Sequence, residues 1–360
     1  MTHHSLGPAP SGAGHFSSPA LAGPPRPVPG LPLHLDRRHL LGLEGLDRAE
    51  ILALLDAAEG YRGRLARARA GEPGGGLPFD DLAGVTVLLG FFEDSTRTRV
   101  SFELAARYLG ATATTLTTAG SAVSKGETLY DTVQNVRAMG VDVVVVRHVA
   151  SGAPYFLARH LDVSVVNAGD GRHEHPTQGL LDLMTLRDAW HGRFEGRRLA
   201  LIGDIAHSRV ARSAIHGLRA LGAEVAVAGP RTLLPVGVEA LGCTVAATVE
   251  EAMEGADAVM ALRLQRERMD GGLLPSLGEF SRVWGLTPER VRLLARDAVV
   301  LHPGPINRGV EVAPEVVDSE RSVILDQVNN GVALRCAVLA RCAAARSAHR
   351  ERVPAKGESA

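Results

Sequence analysis

Residues Val85–Glu103 read VTVLLGFFEDSTRTRVSFE. The apolar run Val85–Phe92 has the length and composition of a buried strand. Behind it, four hydroxyls and two arginines fall within seven residues, from Ser95 to Ser101, and a helix over Arg97–Leu109 runs on to Gly110. The first turn of a helix has unpaired N–H groups and a partial positive charge, and both attract anions. Ser95, Thr96 and Thr98 with the Arg97 fork make a compact donor set suited to phosphate. Net charge is not the attraction, because Phe91–Glu103 sums to −1. The plain alternative is N-capping by Ser95 or Thr96 with both arginines on the surface. Capping is expected too, but it does not need the remaining donors, so the segment reads as an anion site.

Outward from this stretch, strands and helices alternate. Ala111–Thr118, Val141–Val146 and Val163–Gly169 read as strands. Helices are expected from Glu127 to Met139 and from Pro176 to Trp190. The pattern restarts with strands at Arg197–Asp204, Glu224–Gly229, Ala256–Leu262 and Ala298–His302, and a helix at Ser208–Gly222. Upstream, Ile51, Leu54, Leu55 and Ala58 mark an amphipathic helix. Downstream, Ile324, Val328, Val332 and Leu339 put one apolar stripe on a final helix over Ser322–Ala344. The fold class is therefore α/β, with two doubly wound units, each a parallel sheet flanked by helices. The turn of the pattern lies near Asp182–Glu195. The units are drawn as 36–184 and 185–320, with 321–345 returning to the first and 346–360 as a tail.

Length and composition agree. A chain of 360 residues can bury two substantial cores. A net charge of −1 speaks against a general nucleic-acid or membrane-surface binder, and no run of 18 apolar residues offers a spanning helix. Cys243, Cys336 and Cys342 have no C-x-x-C spacing, which fits a reducing, cytoplasmic setting. Eight of the 20 prolines fall between Pro8 and Pro32, so residues 1–35 read as a disordered extension.

In open α/β sheets ligands bind outside the carboxyl ends of the strands. The polar residues gather there: Ser95–Arg99, Arg147–His148, Gly169–Gln178, Gly203–Arg209, Arg263–Gln265 and His302–Gly309. In the loop GSAVSKG (Gly120–Gly126), Ser121 and Lys125 could reach a phosphate, although alone Lys125 reads as a solvated loop lysine. His173 and His175 flank Glu174. Two histidines two residues apart are a weak metal signal without a third ligand. A neutral His175 donating an N–H to a carbonyl oxygen, with Gln178 beside it, is at least as good a reading. Arg209 and Arg263 are each, alone, ordinary surface residues; together at strand ends they suit a substrate with two carboxylates. No G-x-G-x-x-G, Walker A, G-x-S-x-G or H-E-x-x-H motif occurs in a fitting context.

In order along the chain, FFEDSTRTRVSFE, SAVSKGET, VVRH, NAGDGRHEHPTQGLLDL, LRLQRERM and LHPGPINRG resemble the aspartate carbamoyltransferases, over about Leu35–Ala344. S-T-R-T-R with H-P-T-Q marks the carbamoyltransferase superfamily, while R-x-Q-x-E-R and H-P-G-P-x-N-R-G mark the aspartate branch. The resemblance implies transfer of a carbamoyl group from carbamoyl phosphate to L-aspartate in pyrimidine synthesis, with no cofactor and no metal. By motif, Ser95, Thr96, Arg97 and Thr98 would hold the phosphate. Thr98, Arg147 and His175 would polarise the carbonyl oxygen, and Gln178 would contact the carbamoyl amine. Arg209, Arg263 and Gln265 would bind the aspartate carboxylates, and His302–Pro305, Gly304 included, would line the cleft.

The resemblance further implies that Ser121 and Lys125 enter the neighbouring subunit's site, which makes a homotrimer the minimum unit. It leaves room for a regulatory chain or another pyrimidine-pathway chain. Asp94 stands where Pro or Asn is common, and Gly304 where the best-known branch has leucine. Ornithine carbamoyltransferase is the nearest rival, but its H-C-L-P and S-M-G segments are absent here. A non-catalytic paralogue should have lost one of Arg97, Lys125, Arg147, His175 or Arg263, and all are present. A binding protein of two α/β lobes should carry an export signal, and none is visible.

Overall fold

The computed structural model describes residues 38–117, 128–265, 268 and 272–352. It contains two parallel sheets. The first holds β1 (Thr86–Phe91), β2 (Thr112–Thr117), β3 (Val143–His148) and β4 (Ser164–Asp170), in the order β2-β1-β3-β4. The second holds β5 (Arg198–Gly203), β6 (Glu224–Ala228), β7 (Thr244–Val245), β8 (Ala258–Leu262) and β9 (Val299–Leu301), in the order β7-β6-β5-β8-β9. The runs of Val, Ile and Leu in β1, β3, β5 and β8 are buried on both faces, as the interior strands of a covered parallel sheet require.

Both orders reverse direction once, between β1 and β3 in the first sheet and between β5 and β8 in the second. At such a reversal the crossovers leave on opposite faces and open a crevice at the carboxyl ends of the two strands. The two crevices of this chain face each other. Phe91 pairs with Arg147 at the end of β1 and β3, and Gly203 with Leu262 at the end of β5 and β8.

The helices are α1 (Arg48–Arg69), α2 (Thr96–Tyr108), α3 (Leu129–Ala138), α4 (Ala153–His160), α5 (Pro176–Ala189), α6 (Arg209–Ala220), α7 (Val249–Met253), α8 (Leu277–Trp284), α9 (Pro288–Val291), α10 (Pro314–Val317) and α11 (Ile324–Arg352). Asp47 begins α1 with a reciprocal capping box to Glu50. Helix α4 and the short elements β7, α7, α8, α9 and α10 are additions to the sequence-based reading, and residue 184 falls inside α5.

The sequence allows two substantial cores, and one hydrophobic cluster of the structure runs through both halves. It takes Leu89 and Val145 from the first sheet, Leu199 and Leu201 from the second, and Leu180, Leu183, Ile215, Leu218, Leu334 and Leu339 from α5, α6 and α11. Helix α5 is buried almost all round, from Pro176 to Leu186, because α1, α6, α11 and β4 pack on it. Two further clusters cover the outer face of each sheet.

Helix α11 starts after the second sheet and packs on α1, α2 and α5. The single stripe expected on it does not hold: Leu339 is fully buried, but Val328 is 55% exposed and Val332 only partly buried. Val328 borders an open cleft, while the following turns are enclosed on several sides. No described helix is long and apolar enough to cross a membrane.

Candidate active site

The facing crevices form one cleft of about 550 Å³. Its first wall begins where β1 ends. Ser95 is the N-cap of α2, but its side chain makes no capping hydrogen bond; its hydroxyl donates to Thr98 Oγ1 at 3.0 Å. The expected cap is therefore absent, and among the described residues no side chain caps the first-turn N–H groups of α2. Thr96, Arg97 and Thr98 line the same wall. Ser101 instead donates to the Arg97 and Thr98 carbonyls, and Arg99, with Nε 3.9 Å from Glu103, does not line the cleft.

Arg97 reaches across to the loop after β9, with Nη2 3.4 Å from the Pro303 carbonyl. Desolvation by the cleft walls, then the charge on Arg263, lowers its pKa. Gly304 has φ +66°, and a Cβ there would collide with the Arg97 guanidinium. Glycine lets that guanidinium lie against the turn.

A register shift between Val146 and His148 breaks the β3–β4 ladder at Arg147. Such irregularities re-aim a side chain. Arg147 turns into the cleft, 8% exposed, donating to Glu93 Oε1 at 2.8 Å, with Nε buried and without a partner among the described residues. Burial and the nearby Arg209 push its pKa down to about 9, against the opposing pull of Glu93. His148 accepts from the Ala150 N–H and does not line the cleft.

His175 caps α5 by position, and its backbone N–H donates to Ser213 Oγ at 2.9 Å. The residue is 5% exposed, and Nδ1 has no partner among the described residues. Burial, then Arg147 and Arg209, drives its pKa well below the usual value, so the imidazole is neutral at pH 7. A neutral imidazole can offer one N–H to an oxygen without a net charge. His173 is occupied by Asp170 at 3.2 Å, and the Glu174 carboxylate accepts from the Leu43 and Glu44 N–H groups and Ser213 Oγ. Among the described residues the group of three candidate metal ligands is Glu44, Glu174 and His216, which contains neither His173 nor His175.

The second wall carries Arg209, at the first position of α6, and Arg263 and Gln265 after β8. Arg263 Nη2 donates to Gln265 Oε1 at 2.9 Å, and the Gln265 N–H donates to buried Asp204 at 3.2 Å. Arg209 was expected to present an open fork to a carboxylate. Its fork is instead filled by Glu93, at 2.9 Å from Nη1 to Oε2 and 2.6 Å from Nη2 to Oε1. Arg268 donates to the same Glu93 oxygen at 2.8 Å. Burial opposes a charge on Glu93, but the Arg209 hydrogen bond and the charges of Arg209, Arg147 and Arg268 bring its pKa down to about 2. Gly169, at φ +113°, leaves the room in which Arg147 and Arg209 approach; a Cβ there would lie 2.8 Å from Arg209 Nε and 3.1 Å from Arg147 Nη1.

Thus Ser95, Thr96, Arg97, Thr98, Arg147, His175, Gln178, Arg209, Arg263, Gln265 and Gly304 all line one cleft. Ser121 and Lys125 lie outside the described residues. The sequence reading gave no role to Glu93, Arg268, Gln327 and Arg335, which also line the cleft, or to Asp182, which accepts from Gln178 behind it. Glu93 carried one usable signal, an acid just past a strand end among cations.

The architecture and its cleft have close counterparts. The family profile of the aspartate/ornithine carbamoyltransferase carbamoyl-P binding domain matches residues 38–188, and that of the Asp/Orn binding domain matches residues 195–342. The aspartate carbamoyltransferase catalytic subunit of Sorangium cellulosum is 56% identical over 302 residues, covering 84% of this chain and 92% of its own. That of Myxococcus xanthus is 52% identical over 307 residues, covering 85% and 100%. Among solved structures, aspartate transcarbamoylase from Trypanosoma cruzi in complex with carbamoyl phosphate and aspartate superposes with a TM-score of 0.73 at 30% identity, over 84% of this chain and 96% of that one. Ornithine carbamoyltransferase from Thermus thermophilus gives 0.72 at 30%, over 84% and 98%. Backbone shape alone does not separate the two branches, whereas identity above 50% lies with the aspartate one. Two domain profiles spanning nearly all the described residues, with relatives this similar over their whole length, place the chain in the aspartate/ornithine carbamoyltransferase family.

Proposed function

We propose that this cleft transfers the carbamoyl group of carbamoyl phosphate to the amine of L-aspartate, giving N-carbamoyl-L-aspartate and phosphate in pyrimidine biosynthesis. The observation that carries the reading is the meeting of two strand-end crevices. One has uncapped helix N–H groups, hydroxyls and Arg97; the other has Arg263 and Gln265. The first suits a phosphoryl anion and the second a carboxylate.

In this reading Ser95, Thr96, Arg97 and Thr98 hold the phosphate. Thr98, Arg147 and neutral His175 donate to the carbonyl oxygen, and Gln178 accepts from the carbamoyl amine. As the aspartate amine attacks, negative charge builds on that oxygen, and donors already aimed at it stabilise the tetrahedral intermediate. The C–O bond to phosphate then breaks, the amine's proton leaves with the phosphate, and the donors of α2 receive the departing charge. Neither a covalent enzyme intermediate nor a metal is needed; orientation of two bound anions supplies much of the rate. Arg263 and Gln265 take the aspartate carboxylates, with Arg209 joining them while it also holds Glu93.

The active unit is a homotrimer in which Ser121 and Lys125 complete the neighbouring subunit's site, and the enzyme works in the cytoplasm. Residues 36–184, completed by the helix of 321–345, form the carbamoyl-phosphate domain, and 185–320 the aspartate domain. The test is phosphate release from carbamoyl phosphate with either aspartate or ornithine as acceptor. Release with aspartate alone is expected; release with ornithine alone would overturn the assignment.

A further inference from the structure

Below the cleft floor lies a carboxylate that none of the roles above uses. Asp182 stands one turn after Gln178 on α5, 1% exposed. Its Oδ1 accepts two amide hydrogen bonds, from Gln178 Nε2 at 2.9 Å and from Gln327 Nε2 at 2.7 Å. Gln327, 2% exposed on α11, uses its own oxygen to accept from the His302 N–H at 3.0 Å. His302 Nδ1 in turn accepts from the Gly304 N–H at 2.8 Å. One buried carboxylate therefore ties the Gln178 amide to the turn at Gly304.

A side-chain amide can face a ligand with its oxygen or with its NH2 group, and its neighbours decide which. A carboxylate accepts and does not donate, so Asp182 draws the NH2 group of Gln178 down and leaves Oε1 toward the cleft. Both amides converge on Oδ1, and Oδ2 is buried without a partner among the described residues. A proton taken up by the carboxyl can therefore sit on Oδ2 while Oδ1 remains the acceptor. We propose that Asp182 is a positioning residue that sets selectivity for a carbamoyl over an acyl group, by fixing Gln178 so that its amide oxygen meets the carbamoyl NH2. The inference rests on the assignment of Gln178 to that amine.

A donor lacking the NH2 group isolates the effect. Acetyl phosphate carries a methyl in its place, and a site built to bond an N–H discriminates strongly against such an analogue. The quantity to measure is kcat/KM for carbamoyl phosphate divided by kcat/KM for acetyl phosphate, with aspartate saturating. This ratio reads only active molecules, so a lower yield of folded enzyme does not move it. Asp182→Ala and Asp182→Ser, each of which removes the acceptor at Oδ1, should lower the ratio ~10-fold or more. Asp182→Asn keeps an oxygen there and should stay within ~3-fold of the parent. Gln178→Ala should collapse the ratio, and adding Asp182→Ala to it should change nothing further, as for two residues acting through one contact. If Gln178→Ala collapses the ratio while Asp182→Ala and Asp182→Ser leave it intact, the positioning role is overturned and the Gln178 assignment survives. If Gln178→Ala leaves the ratio unchanged, the Gln178 assignment itself fails.

Discussion

Glu93, two residues past the end of β1, fills the guanidinium fork of Arg209 at the start of α6. With Arg268 on its Oε1, this one carboxylate holds two cations of the second half and pairs with Arg147 beside them. Replacing it with an amide leaves three guanidiniums facing one another in a partly buried space. Glu93→Gln should therefore raise the KM for aspartate ~10-fold or more, because Arg209 and Arg268 lose the group that orients them. Steady-state kinetics with aspartate varied will check this. A change confined to the KM for carbamoyl phosphate would contradict it.

The same carboxylate leaves an acid signature. Its pKa is depressed from 4.5 to about 2 in the fold, by arginines that outweigh its burial. A depressed carboxylate contributes stability above its unfolded pKa and loses it as pH falls through the folded one. Urea midpoints of the parent should drop more steeply than those of Glu93→Gln between pH 4.5 and about 2. Parallel curves would show that the ion cluster adds nothing to folding.

Asp182 should behave in the opposite sense. Burial raises its pKa from 3.8 to about 7, more than the bonds from Gln327 and Gln178 and the charge of Arg335 lower it. Between those values the folded state keeps a proton that the unfolded state has released, so this group's contribution to stability declines as pH rises. Asp182→Asn lacks that slope. The stability difference between variant and parent should therefore move in the variant's favour across this window, read as thermal midpoints.

Arg97 lies against the turn at Gly304, on the wall to which the proposed reaction assigns the phosphate. Arg97→Ala should cut turnover ~10²-fold or more, the scale seen on removing one donor that stabilises developing charge. Near-normal turnover would remove Arg97 from the reaction.

The proposed sharing of sites between subunits predicts complementation. Arg97→Ala and Lys125→Ala chains should each be nearly inactive as homogeneous assemblies. Refolded together, they should recover about a quarter of parental activity, since a site then needs an intact Arg97 from one chain and an intact Lys125 from its neighbour. No recovery on mixing would argue for sites contained in single chains.

Much of this was legible in the sequence because it is local. The valine run of β3 and the polar turns after β1, β3, β5 and β8 announce themselves within a few residues. Eleven of the expected site residues consequently fall in one cleft. What was missed is non-local. Glu93 and Arg209 are 116 residues apart, and Asp182 and Gln327 are 145 apart. No spacing rule joins such pairs. Val328 misled for a related reason: helical periodicity counts apolar residues, but it does not know that one turn of α11 borders an open cleft.

Helix α11 brings a consequence for biosynthesis. Its residues Leu334, Val338 and Leu339 belong to the same apolar cluster as Leu89 and Val145 of the first sheet. While a ribosome translates the second sheet, at ~5–20 residues per second, the nascent first half carries an unsealed apolar groove for on the order of ten seconds. Until the segment from Ile324 onward leaves the exit tunnel, that groove is a surface for chaperones to shield.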